Sequence, residues 1–155
     1  MIQYKKSLRL SSENHTIAFA RKIAKGIRPL DMLLLSGAIG SGKSFFARSL
    51  IQSIQKTPEE VPSPTYTIVQ TYETKFGELW HVDLYRIKSA SEIEELGLYE
   101  AFEKAITIIE WPEIVLPNLS RQGLAIELKT RDAIMERDVT IQSDLPRWQN
   151  ILENI

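Results

Sequence analysis

Apolar and polar positions along the chain fall into two spacings, and the switches between them mark the elements. In "IQYKKSLRL" (residues 2–10) the apolar positions alternate loosely, which predicts a strand. "SSENHTIAFARKIAKG" (11–26) then offers capping serines and an early acid, with Ile17, Ala20, Ala24 and Ile27 on one helical face and Gly26 as the stop. "DMLLLSG" (31–37) is a short apolar run closed by glycine. Beyond a glycine-rich loop, "KSFFARSLIQSIQ" (43–55) places Phe46, Leu50 and Ile54 at helical spacing. "TPEEVPSPTYT" (57–67) holds three prolines and is read as largely irregular. "YTIVQTYE" (66–73) and "ELWHVDLYRI" (78–87), joined through "TKFG", predict a hairpin.

"SASEIEELGLYEAFEKA" (89–105) reads as helix with a break at Gly97, and "ITIIE" (106–110) as a buried strand ended by "WPEIVLP" (111–117). "GLAIELKT" (123–130) and "RDVTIQS" (137–143) predict a second hairpin. A closing helix in "DLPRWQNILENI" (144–155) would put Leu145, Trp148, Ile151, Leu152 and Ile155 on one side. Helices alternating with strands, together with two hairpins, predict an α/β sandwich around a mixed sheet.

Composition narrows the setting. The chain has 155 residues, 43% hydrophobic and 25% charged, which suits one domain spanning residues 1–155 and excludes a disordered or fibrous class. Apolar runs such as "MLLL" and "AITII" are far short of the roughly 18 residues a spanning helix needs, so no membrane role is expected. The absence of cysteine removes disulfides, thiolate nucleophiles and cysteine-bound zinc, and His15 and His81 alone make no metal cluster. These features predict a cytoplasmic protein. A formal net charge of −1 with interspersed signs predicts no unaided grip on a polyanion.

"SGAIGSGKS" (36–44) matches the phosphate-binding loop pattern from Gly37 through Gly42, Lys43 and Ser44. Small residues let successive backbone N–H groups converge on a triphosphate, and the helix that follows aims its positive end at it. Lys43 reaches the β and γ oxygens, and the Ser44 hydroxyl can ligate Mg²⁺. Asp83, late in an apolar strand, is either a carboxylate that holds the metal through water or an ordinary turn former. Glu110 ends another apolar strand, where ligands collect in open α/β sheets, and could bind Mg²⁺ directly or orient the attacking water. Trp111 beside it either borders the nucleotide or caps the core.

Thr65 in "SPTYT" occupies a stretch where nucleotide switches place a threonine on Mg²⁺ or the γ-phosphate; alternatively Pro62 and Pro64 merely start a strand. No Asn-Lys-x-Asp segment reads guanine and no glycine follows "DLYR" at the metal aspartate, so ATP is the expected nucleotide.

In order within about 80 residues, "GAIGSGKS", "SPTYT", "HVDLYR" and "IIEWPE" resemble the TsaE (YjeE) family of small bacterial ATPases, over nearly the whole chain. The resemblance implies a P-loop NTPase-like three-layer sandwich and a cytoplasmic, weak, partner-dependent ATPase. Its work would be threonylcarbamoyladenosine formation in tRNAs that read codons beginning with A. Such proteins bind a complex of the TsaD and TsaB type and reset it with ATP, meeting tRNA only through that complex.

By motif, Gly37, Ala38, Ile39, Gly40, Ser41, Gly42, Lys43, Ser44 and Phe45 would surround the nucleotide, with Trp111 nearby. Ser44, Asp83 and Glu110 would hold Mg²⁺, and Lys43, Thr65, Asp83 and Glu110 would form the catalytic set. The resemblance also implies Ser12 and Glu13 near the base and Arg137 from the late hairpin. Partner docking is expected at "HVDLYRI" and along the exposed side of "SEIEELGLYEAF".

The family loop usually reads Gly-Asp-Leu-Gly-Ala-Gly-Lys-Thr, whereas here Ala38 replaces the aspartate, Ser41 the alanine and Ser44 the threonine. Serine keeps the metal-binding hydroxyl. The missing carboxylate at Ala38 keeps open a nucleotide-gated binding module with negligible turnover. A small-molecule kinase is the other alternative, although "RDAIMER" (131–137) is the nearest thing to an arginine-rich lid and reads as a hairpin.

Overall fold

The computed structural model describes residues 4–116 and 123–155. Seven strands form one sheet: β1 (Tyr4–Leu10), β2 (Met32–Ser36), β3 (Val69–Thr74), β4 (Gly77–Asp83), β5 (Ile106–Glu110), β6 (Leu124–Thr130) and β7 (Arg137–Ser143). Their order across the sheet is β1-β7-β6-β2-β5-β4-β3. The centre, β6-β2-β5-β4, is parallel, while β1 and β7, β7 and β6, and β3 and β4 pair antiparallel. Both predicted hairpins are present. The helices given by the described residues are α1 (Glu13–Ala24), α2 (Lys43–Ile54), α3 (Ala90–Glu95), α4 (Leu98–Lys104) and α5 (Gln149–Glu153).

Period-two alternation in the central strands accounts for the three layers. In β2, Leu33 and Leu35 join a core that contains Phe19 and Ile23 of α1 and Phe46 and Leu50 of α2. Met32 and Leu34 point the other way, into a second core with Ile93 of α3 and Leu98 of α4. β5 divides likewise, Ile108 to the first core and Ile109 to the second. A fully buried Leu or Ile contributes roughly 1.5–3 kcal/mol, so a strand that buries both faces is strongly fixed in place.

Gly97 sits between α3 and α4 at φ +73°, in the left-handed region that glycine enters without strain, and the helical pattern breaks there as expected. Ser89 and Glu92 close a capping box at the start of α3.

One buried face and two boundaries differ from what the sequence predicts. The buried face of α1 is Thr16, Phe19, Ala20, Ile23 and Ala24, leaving Ile17 half-buried, because the Phe19 ring meets Phe46 of α2 at 5.3 Å and that contact sets the rotation of the helix. β3 begins at Val69 rather than Tyr66. Ile68 turns the chain at φ +69° and donates its N–H to Pro64 O at 2.7 Å, so Pro64–Thr67 form a turn and Tyr66 is exposed. β4 ends at Asp83, whose carboxylate accepts the Tyr85 N–H at 2.9 Å and starts a turn instead of continuing the strand. The chain closes with a 3₁₀ turn (Pro146–Trp148) and α5, and Trp148 and Leu152 are buried there. The predicted first strand began at Ile2 and the segment after β5 ran to Pro117; residues 2–3 and 117 lie outside the described residues.

Candidate functional site

The four parallel strands end at one edge of the sheet, and the chemistry-bearing residues emerge there. Asp83 of β4 is in register with Glu110 of β5, and Glu110 with Leu35 of β2, directly before the glycine loop. Thus two carboxylates 27 positions apart in sequence lie on neighbouring strands, beside the loop. Gly37 opens that loop at φ +143°, where a Cβ would lie 2.4 Å from Leu128 O and 2.5 Å from Ser41 Oγ. No other residue fits that approach.

Lys43 is the first residue of α2 and is 5% exposed. Its Nζ donates to Gly37 O at 2.7 Å and Ala38 O at 2.9 Å, and lies 4.1 Å from the centre of the Trp111 ring. Burial lowers its pKa, opposed by the charges of Glu110, Asp83 and Glu113. Ser44 Oγ donates to Glu110 Oε1 at 2.8 Å, and the other carboxylate oxygen, Oε2, lies 2.6 Å from His81 Nε2. Thr65 Oγ1 donates to Asp83 Oδ2 at 3.2 Å, and Ser63 Oγ bridges Ser44 at 3.3 Å and Thr65 at 2.9 Å. Burial raises the pKa of Asp83 and the charge of Glu110 adds to it, against the Tyr85 N–H, the Thr65 hydroxyl and His81.

These groups face a cleft of about 350 Å³ whose walls include Gly40, Lys43, Thr65, Asp83, Glu110 and Trp111, with Ile39, Ser44 and Phe45 also lining it. Trp111 is at φ +57°, an uncommon conformation for a bulky residue, and the turn it makes after β5 brings its ring against Lys43 and against Tyr85 at 4.8 Å. It is half-buried in the cleft wall and packs on the second core. Both of its anticipated roles are therefore compatible with its position.

A second recess of about 170 Å³ adjoins the first through Gly42 and Phe45 and contains Glu13 and Arg137. Arg137 grips the loop from β7: Nε donates to Ser41 O at 2.8 Å and Nη2 to Gly40 O at 3.3 Å. Ser12 lines neither recess; its Oγ accepts the His15 N–H at 3.1 Å and caps α1. Ala38 is exposed on the loop.

Among the described residues no three His, Cys, Asp or Glu side chains converge on one metal position. The donor set is two carboxylates and hydroxyls at an open cleft. That suits Mg²⁺, which takes one or two carboxylates and completes its shell with water and phosphate oxygens. The glycine loop, Lys43 and the twelve-residue α2 likewise fit a polyphosphate. The sequence pattern assigns no place in the site to His81 or Ser63, which the structure sets against Glu110 Oε2 and between Ser44 and Thr65. His81 was legible as a polar interruption two residues before Asp83, hence on the same strand face; Ser63 had no signal beyond its place among prolines.

The TsaE family, described as threonylcarbamoyl adenosine biosynthesis protein TsaE, matches residues 10–139. The TsaE protein of Rickettsia bellii is 41% identical over 123 residues, covering 79% of this chain and 85% of its own length. That of Bacillus subtilis is 31% identical over 148 residues, covering 95% and 91%. The crystal structure of Bacillus subtilis YdiB superimposes with a TM-score of 0.76 at 25% identity, covering 99% of this chain and 95% of that one. Among the described residues no helix is long and apolar enough to cross a membrane. A match over most of the chain, relatives above 30% identity and a shared fold together place this chain in the TsaE family, whose proteins serve the biosynthesis of threonylcarbamoyladenosine in tRNA.

Proposed function

We propose that this chain is a single P-loop ATPase domain that binds and slowly hydrolyses Mg²⁺–ATP in the cytoplasm, and thereby resets a TsaD/TsaB-type complex between rounds of tRNA modification. The observation that carries this reading is the bond from Ser44 Oγ, on the loop helix, to Glu110 Oε1, on β5, beside Asp83 in register on β4. A hydroxyl and two carboxylates meet where the β- and γ-phosphates would arrive.

The loop N–H groups from Gly37 to Ser44 bind phosphate oxygens, and Lys43 supplies the compensating charge, held over the loop by the Gly37 and Ala38 carbonyls. Ser44, Asp83 and Glu110 would hold Mg²⁺, and Thr65 reaches the same place through Asp83. When bound, the metal neutralises charge developing on the transferred phosphoryl group. Alternatively Glu110 would orient the attacking water in place of binding the metal; Trp111 shields one side of Lys43. The second recess, with Glu13 and Arg137, would take the base.

Exposed Ala38, without a carboxylate, favours slow intrinsic turnover and gives weight to a second reading, a nucleotide-gated module that binds without appreciable hydrolysis. Calorimetric titration of ATP into the parent and Lys43→Ala proteins tests the site: Lys43→Ala should lose at least about tenfold in affinity, and equal affinity would end the loop assignment. Phosphate release with and without TsaD- and TsaB-type proteins, together with a screen for phosphorylated metabolites, separates the ATPase from the silent module and from a small-molecule kinase.

A further inference from the structure

We infer that His81 is a positioning residue for the metal ligand Glu110; this rests on the magnesium–ATP reading above. His81 lies in the middle of β4, 1% exposed, at a position where the neighbouring pattern supplies apolar side chains. Its Nε2 is 2.6 Å from Glu110 Oε2, and among the described residues its Nδ1 has no hydrogen-bond partner. A carboxylate oxygen accepts, so the ring donates from Nε2.

A histidine there does the fold little service. Burying an imidazole with one nitrogen unpaired costs free energy that a leucine would not incur, so core packing does not explain the residue type. The geometry at Glu110 does. Its two oxygens are divided: His81 fixes Oε2 from the buried side, and Oε1 is turned toward Ser44 at 2.8 Å and the cleft. A glutamate at the end of a strand has three side-chain torsions, and one buried donor behind it selects the rotamer that presents Oε1 to a cation. Groups placed behind metal ligands in this way typically change metal affinity or activity by about 10–100-fold when removed. Asp83 obtains the equivalent fixing from the Tyr85 N–H, so each carboxylate has one oxygen tied back into the protein.

The test compares His81→Phe, which keeps ring volume and loses the donor, with His81→Gln, whose amide N–H₂ can stand where Nε2 stood. ATP binding is measured by calorimetry across a magnesium series and in EDTA. In His81→Phe the magnesium concentration that half-restores binding should rise about tenfold or more, while affinity in EDTA stays near the parent value; His81→Gln should stay close to the parent in both. Turnover should follow, with kcat reduced more than KM. Should His81→Phe not fold, His81→Asn against His81→Gln makes the same comparison, since the shorter amide falls short of Oε2. An unchanged magnesium dependence in the variant lacking the donor overturns the inference, as do equal losses in both variants with and without metal, which would make the ring a packing element only. A parent protein that binds ATP equally in magnesium and in EDTA would instead remove the metal reading, and the role of His81 with it.

Discussion

β2 and β5 at the centre of the sheet and β1 at its edge bury apolar side chains by different rules. "MLLL" of β2 and "ITII" of β5 are buried throughout because α1 and α2 cover one face and α3 and α4 the other. β1 alternates: Leu8 and Leu10 pack toward α1, while Lys5, Ser7 and Arg9 are exposed. In a strand dry on both faces a polar residue is expensive; Glu110, Asp83 and His81 meet at or near the edge where the glycine loop lies, whereas Thr107 of β5 is buried with its hydroxyl unpartnered among the described residues and has no such role. In β1 a polar residue is merely the solvent side of the pattern. The same residue type therefore carries different information in the two regions.

Substitutions can break this comparison in order of size. Leu34→Ala in β2 should cost about 2–5 kcal/mol by denaturant titration, against about 1 kcal/mol for half-buried Leu8→Ala in β1; equal costs would mean the edge is as tightly packed as the centre. Gly37→Ala, which must shift Leu128 O or leave a favoured backbone conformation, should cost about 1–3 kcal/mol and weaken ATP binding together with it.

Asp83→Asn should raise the metal-free melting temperature at neutral pH and abolish the further rise on adding Mg²⁺–ATP. The sign follows from burial. The folded chain holds the Asp83 proton to higher pH than the unfolded chain, whose value is about 3.9, so the stability this group allows falls as pH rises from there through the raised folded value, and the amide removes that fall. A lower melting temperature for Asp83→Asn at neutral pH would contradict this. Smallest of all, Asp138→Asn on β7 removes an exposed partner of Arg131 at 2.7 Å and should leave the melting temperature unchanged within error.

Much of the site could be read from the order of its motifs. Lys43 and Ser44 are legible from the glycine-loop spacing, and Asp83, Glu110 and Trp111 because they end or follow apolar strand runs; the structure brings all five to one cleft. Thr65 was ambiguous until the Pro64–Thr67 turn put its hydroxyl on Asp83. Glu13 and Arg137, 124 positions apart, share a recess that no local pattern could announce.

What the sequence determined by itself is local: the period of each apolar run, the glycine-rich loop from Gly37 to Ser44, and the helix break at Gly97. These depend on steric and periodic constraints acting over a few residues. Strand order, the register that sets Asp83 beside Glu110, the rotation of α1 on Phe46 and the division of the Glu110 oxygens between Ser44 and His81 were decided by the tertiary structure alone. Each depends on which distant surfaces bury one another, a property of the packed chain as a whole.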